Sequence, residues 1–147
     1  MVAAVVAACQ PATPTKARLP LASSGLEQVP LRVTTARGRI RSFTVEVART
    51  LPQQQTGLMN RLVLAPNRGM LFPYDPPEAV AFWMKNTLIP LDMIFVRSDG
   101  TIARIAANTV PLSLEQVPAG EPVGAVLEIA GGRAAELGLA PGDRVRW

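Results

Sequence analysis

The sequence predicts a mainly β, single small domain: an antiparallel barrel or sandwich-like sheet carrying two short helices. Three observations predict it. Short runs alternate apolar and polar residues with period two, as in Phe43-Thr44-Val45-Glu46-Val47. Turn-forming clusters of Gly, Pro, Asn and Asp separate these runs at close spacing. Only two segments carry helix-boundary signals. At 147 residues the chain is one domain in size, able to bury roughly two thirds of its unfolded surface.

Leu31 to Ala36 and Ile40 to Ala48 read as a hairpin around Arg37-Gly38-Arg39. A helix follows: Thr50 is an N-cap with Gln53 three residues on and Pro52 in the first turn. It runs to about Asn60 or Leu62 with Leu58 and Leu62 as its apolar stripe. Gly57 inside it signals either close approach by another element or the end of the helix. Met70 to Phe72 is a short strand that Pro73 ends, and the proline-rich stretch to Glu78 reads as a surface loop. Val80 to Lys85 is a strand whose alternation sets Val80, Phe82 and Met84 on one face and Trp83 and Lys85 on the other. Leu91 to Val96 and Thr101 to Ala106 pair around Ser98-Asp99-Gly100. After a proline-punctuated loop over 111–122 come a strand from Gly124 to Ile129 and a helix from Gly131 to Leu137, capped by Gly138. Pro141-Gly142 turns into a last strand, Asp143 to Trp147.

Hydrophobic residues make up 48% and charged residues 18%, which fits a folded chain. The net charge of +4 comes from arginines dispersed along the sequence, among them Arg32, Arg37, Arg39 and Arg41. With no basic stripe interleaved with aromatics, they read as a soluble basic surface, and no nucleic-acid partner is expected. There is no histidine, and Cys9 is the only cysteine. Nucleophilic Cys–His chemistry and His/Cys metal sites are thereby removed, no metal or other cofactor is expected, and no disulfide can form within the chain.

Residues 1–9 form a short apolar stretch of small residues, and Val6-Ala7-Ala8-Cys9 resembles the lipobox of bacterial lipoproteins, with Cys9 as the lipidated residue. The apolar part is short and no basic residue follows Met1, both departures from a complete export signal. Residues 10–30 are proline-rich and suit an extended tether, leaving 31–147 as the β-rich domain. The expectation is an exported protein, periplasmic or membrane-anchored, touching the membrane only through Cys9.

Gly57-Leu58-Met59, Gly69-Met70-Leu71-Phe72, Phe82-Trp83-Met84-Lys85-Asn86-Thr87, Pro90-Leu91-Asp92, Val126-Leu127-Glu128 and Gly142-Asp143 occur in that order. In order and spacing they resemble the family called domain of unknown function 192. That resemblance implies a small bacterial or archaeal domain, often exported, whose biochemical role is not established. The stretch from Gly132 to Asp143 also resembles the helix and turn of protease-associated PDZ domains, but no carboxylate-binding loop precedes a strand.

The candidate site gathers Trp83, Lys85, Asn86, Thr87, Asp92 and Glu128. Asp92 alternates with Ile94 and Val96, and Glu128 with Val126, so both acids sit on strands that look buried. A buried carboxylate must find a partner or hold its proton. One reading pairs the acids with Lys85 or with backbone donors at a sheet corner. Another has Trp83, Lys85, Asn86 and Asp92 line a small site for a polar or carbohydrate-like ligand, or for a protein partner, with Trp83 as the flat face. A hydrolase using Asp92 and Glu128 is the enzymatic alternative, although Glu78 or Asp75 would serve as well and no reaction is implied. A purely structural or interaction module is the third reading.

Overall fold

The structure, a computed structural model, describes residues 23–147. Cys9 and residues 10–22 of the expected tether lie outside the described residues. The elements are β1 (Gln28–Thr34), β2 (Ile40–Val47), α1 (Leu51–Thr56), β3 (Arg68–Glu78), β4 (Ala81–Phe82), β5 (Leu91–Val96), β6 (Ile102–Thr109), β7 (Val117–Pro118), β8 (Val123–Ala130), α2 (Arg133–Leu137) and β9 (Arg144–Arg146). Seven strands form one sheet in the order β6-β5-β8-β3-β2-β1-β9, and β4 pairs with β7 in a separate ribbon. The sheet is sandwich-like and is not closed into a barrel. Its two edges meet through an isolated bridge between Thr101 and Arg144 and the adjacent backbone hydrogen bond from Gly142 N–H to the Ile102 carbonyl.

One pair departs from antiparallel order. β2 runs parallel to β3, and a parallel pair needs a long crossover, which residues 48–67 supply. α1 begins there with the capping box in place: Gln53 N–H donates to the Thr50 hydroxyl, and Gln53 Oε1 accepts from the Thr50 N–H at 3.0 Å. The helix ends at Gly57 and does not reach Leu62, which is exposed. Gly57 has φ +46°, and a Cβ there would lie 3.4 Å from Phe72 Cζ, so the glycine both ends the helix and admits a neighbour.

β3 overturns the expected loop after Phe72. The strand continues to Glu78, and its ladder with β8 shifts register between Pro73 and Glu78. The prolines fall within that irregularity, where no ladder hydrogen bond is demanded of them. β1 starts at Gln28, inside the stretch expected to be tether. β4 is shorter than expected, two residues only, because its partner β7 is equally short.

Two apolar clusters lie on opposite faces of the central strands. Leu31, Val33 and Phe43 meet Ile94, Val96, Leu127 and Ile129 on one face. Met70, Phe72, Met93, Phe95 and Val126 form the other, with Leu58 and Met84 over them. β5 is buried along its whole length, which explains its unbroken apolar run apart from Asp92. Arginines dispersed in the sequence are gathered at one edge: Arg32 pairs in register with Arg146, and Thr34 with Arg144, all on one exposed face.

Candidate functional site

The central strands decide where each acid points. In the β5–β8 ladder Asp92 lies opposite Ile129, and Glu128 lies opposite Met93. Side chains one residue out of step on paired strands face opposite sides of a sheet. Asp92 therefore turns toward the Ile94 and Leu127 cluster and Glu128 toward the Met93 and Val126 cluster. The pairing of Asp92 with Glu128 across one substrate, as a hydrolase would require, is not formed.

Asp92 is held by three backbone donors. Its Oδ1 accepts from the N–H groups of Asn108 at 2.8 Å and Gly132 at 2.9 Å, and its Oδ2 from Ala134 at 2.7 Å. These include N–H groups at the start of α2, which otherwise lacks a side-chain cap. Asp92 thus joins β5, β6 and α2, and the expectation that it lines a ligand site is corrected. Asp143 does similar work, binding Ala36 N–H and Ala140 N–H at 2.9 Å each.

Glu128 is the contrasting case. It is 4% exposed, and among the described residues nothing hydrogen-bonds its carboxyl. Every fully enclosed side-chain nitrogen or oxygen there has a partner, so the Glu128 oxygens open onto free space. That space is a cavity of about 330 Å³. Burial pushes the Glu128 pKa up to about 8, which keeps it a neutral acid at pH 7.

The cavity wall comes from three parts of the chain. β3 contributes Phe72, Tyr74 and Glu78; α1 and its end contribute Gln54 and Gly57; β4 and the turn after it contribute Phe82, Trp83 and Thr87. Phe72 and Phe82 meet edge to face at 5.1 Å, and Phe82 meets Phe95 at 6.4 Å, which fixes an aromatic floor. Burial, followed by the nearby Glu78 and Glu128, pushes the Tyr74 phenol up to about 12. Gln54 Nε2 is held by the carbonyls of Ala48 and Pro73.

Trp83, Thr87 and Glu128 are thus brought to one cavity, while Lys85, Asn86 and Asp92 are not among its lining. Lys85 shares the exposed face of Trp83, its Nζ 5.1 Å from the ring centroid, and is not paired with either acid. Asn86 takes a left-handed conformation at φ +53°, and its carbonyl accepts from Asn60 N–H at 2.8 Å. It ties the segment after α1 to the Trp83 turn. The same segment is fixed from below by Arg61, which grips Glu46 through two bonds of 2.6 and 2.7 Å. Tyr74, Phe72 and Gln54 were missed by sequence reasoning. The signal of Tyr74 is hidden because the proline run makes residues 73–78 look detached from the sheet, and Phe72 and Gln54 join the site only through tertiary packing.

Residues 32–147 match the family model of domain of unknown function 192, described as an uncharacterized ACR. The chain belongs to that family. A protein of unknown function from Novosphingobium aromaticivorans is similar to this domain of unknown function 192 at 45% identity and TM-score 0.85, covering 96% of this chain and 100% of its own. A proposed transcription regulator from Sinorhizobium meliloti is similar at 45% identity and TM-score 0.81, covering 82% of this chain and 94% of its own. No match was found among curated proteins.

Proposed function

We propose that this domain binds a small polar, carbohydrate-like molecule in the cavity around Glu128, and that it does so at the cell envelope. The observation that carries the reading is Glu128 itself, a buried carboxyl without a hydrogen-bond partner among the described residues, which opens onto a walled cavity. Buried polar groups are ordinarily satisfied, and one that is not has a cost that a bound partner offsets. A volume of about 330 Å³ falls within the range of small-molecule sites, which combine mostly apolar walls with a few convergent polar groups. Trp83 and Phe82 supply flat faces for the apolar side of a sugar-like ring, and Glu128, Tyr74 and Thr87 supply directional polar atoms. The lipobox-like Val6-Ala7-Ala8-Cys9 supports the envelope location, which palmitate labelling of the wild type and Cys9→Ser tests.

Trp83 is at the cavity and half-exposed, so its fluorescence reports occupancy once the other tryptophan is removed by Trp147→Phe. In that background, titration with monosaccharides and envelope glycan fragments is expected to give a saturable change, abolished by Glu128→Leu. A flat response across the panel contradicts the proposal.

A further inference from the structure

We infer that the molecule held at Glu128 carries a basic amine, which enters as an ammonium group and takes the place of the carboxyl proton. This deepens the ligand reading above and rests on it. The chain as a whole is basic, with 15 Lys and Arg against 11 Asp and Glu. Its cavity is the reverse: the described residues that line it include Glu78 and Glu128 and no Lys or Arg. An anionic ligand would meet two carboxyls and no cation there. A neutral polyol can donate to the Glu128 oxygens but brings no positive charge to a cavity lined by two carboxyls. An ammonium group supplies up to three donors and the compensating charge in one group.

The surroundings of Glu128 leave that charge to be supplied from outside. Met70 on β3 and Met93 on β5 flank it in the ladder. The titratable groups that share its cavity are Tyr74 and Glu78, both on β3, and α1 and β4 bring no charge. Neither Tyr74 nor Glu78 is cationic in any protonation state. The aromatic side of the cavity is suited to the same group, since ring faces attract cations. Trp83 already holds one, Lys85, at 5.1 Å.

The binding step is a proton exchange without covalent change. Glu128 arrives protonated, the ligand arrives as an ammonium ion, and the carboxyl proton passes to the buffer as the carboxylate–ammonium pair forms. Binding near pH 7 therefore releases close to one proton per ligand.

Isothermal titration of the whole chain tests this with three amine and hydroxyl pairs: glucosamine and glucose, ethanolamine and ethylene glycol, cadaverine and 1,5-pentanediol. Each is measured at pH 7 in phosphate and in MOPS, neither of which carries a primary amine and whose ionisation heats differ. The expected result is an amine preference of at least about tenfold, with a buffer-dependent heat corresponding to nearly one released proton. Glu128→Gln is expected to level the members of each pair and remove the buffer dependence. Equal binding of amine and hydroxyl, heats independent of buffer, or silence toward all three pairs overturns the inference. A glycan response at Trp83 alongside any of these leaves ligand binding standing and removes only the amine.

Discussion

Asp92 and Glu128 sit one register step apart on neighbouring strands, yet their environments set them opposite tasks. Asp92 accepts from three backbone N–H groups, those of Asn108, Gly132 and Ala134. Asp92→Asn keeps the size and leaves only one acceptor oxygen, and a hydrogen bond to a charged group is worth about 1.5–3 kcal/mol. Urea denaturation is expected to show Asp92→Asn destabilised by about 2–4 kcal/mol; an unchanged midpoint contradicts the anchoring role. Glu128 has no such donors among the described residues, and its cost appears as pH dependence. Below its ordinary value of 4.5 both folded and unfolded chains hold the proton. From 4.5 to about 8 the unfolded chain has released it while the folded chain retains it, so stability falls as pH rises and levels off above that window. The full loss is on the order of 5 kcal/mol. Glu128→Gln removes this slope and is expected to be more stable than wild type at pH 8 and little changed at pH 4. Equal slopes in the two proteins would show that Glu128 is solvated.

Among the elements, α1 and β3 show what periodicity and boundary signals can and cannot carry. Thr50, Pro52 and Gln53 announce the start of α1 because capping is local chemistry, written within four residues. Its end was left open because Gly57 answers to Phe72, a residue on another element. Pro73 to Glu78 reads as a loop because proline removes ladder donors, and no local rule shows that β8 tolerates the gap through a register shift. That misreading hides Tyr74, which lines the cavity beside Phe72 and Glu78. Gly69 makes the same point in reverse: a Cβ there would fall 2.4 Å from the Glu128 carbonyl oxygen. β3 and β8 approach through that glycine. Gly69→Ala is expected to displace the ladder beside the cavity and cost about 1–3 kcal/mol, read as a lowered thermal midpoint. A Gly69→Ala midpoint at the wild-type value contradicts the close approach.

For the molecule as a whole, the fold class is legible from alternation and turn spacing, and the segment from Phe82 to Thr87 contributes Phe82, Trp83 and Thr87 to the cavity lining. Trp83 and Thr87 reach the cavity, and strand alternation foretold that Trp83 and Lys85 would share a face. Which acid joined them was not legible, because that depends on the register between β5 and β8, two strands separated by about thirty residues of chain. A shift of one residue in that pairing would put Asp92 and Glu128 on the same face. The parallel β2–β3 pair lay equally beyond local reading, since only the crossover over residues 48–67 places α1 above the cavity. That crossover, the Arg61 grip on Glu46 and the Asn60–Asn86 bond together hold the wall that makes Glu128 a cavity residue instead of a surface one.

The central claim, that Glu128 is an unpartnered acid at an open cavity, is tested most directly by carbon-13 NMR titration of its side-chain carboxyl in the free protein. A midpoint near 8, assigned by its loss in Glu128→Gln, is the predicted result. A midpoint near the ordinary 4.5 would mean a solvated or well-partnered carboxylate and would contradict the account.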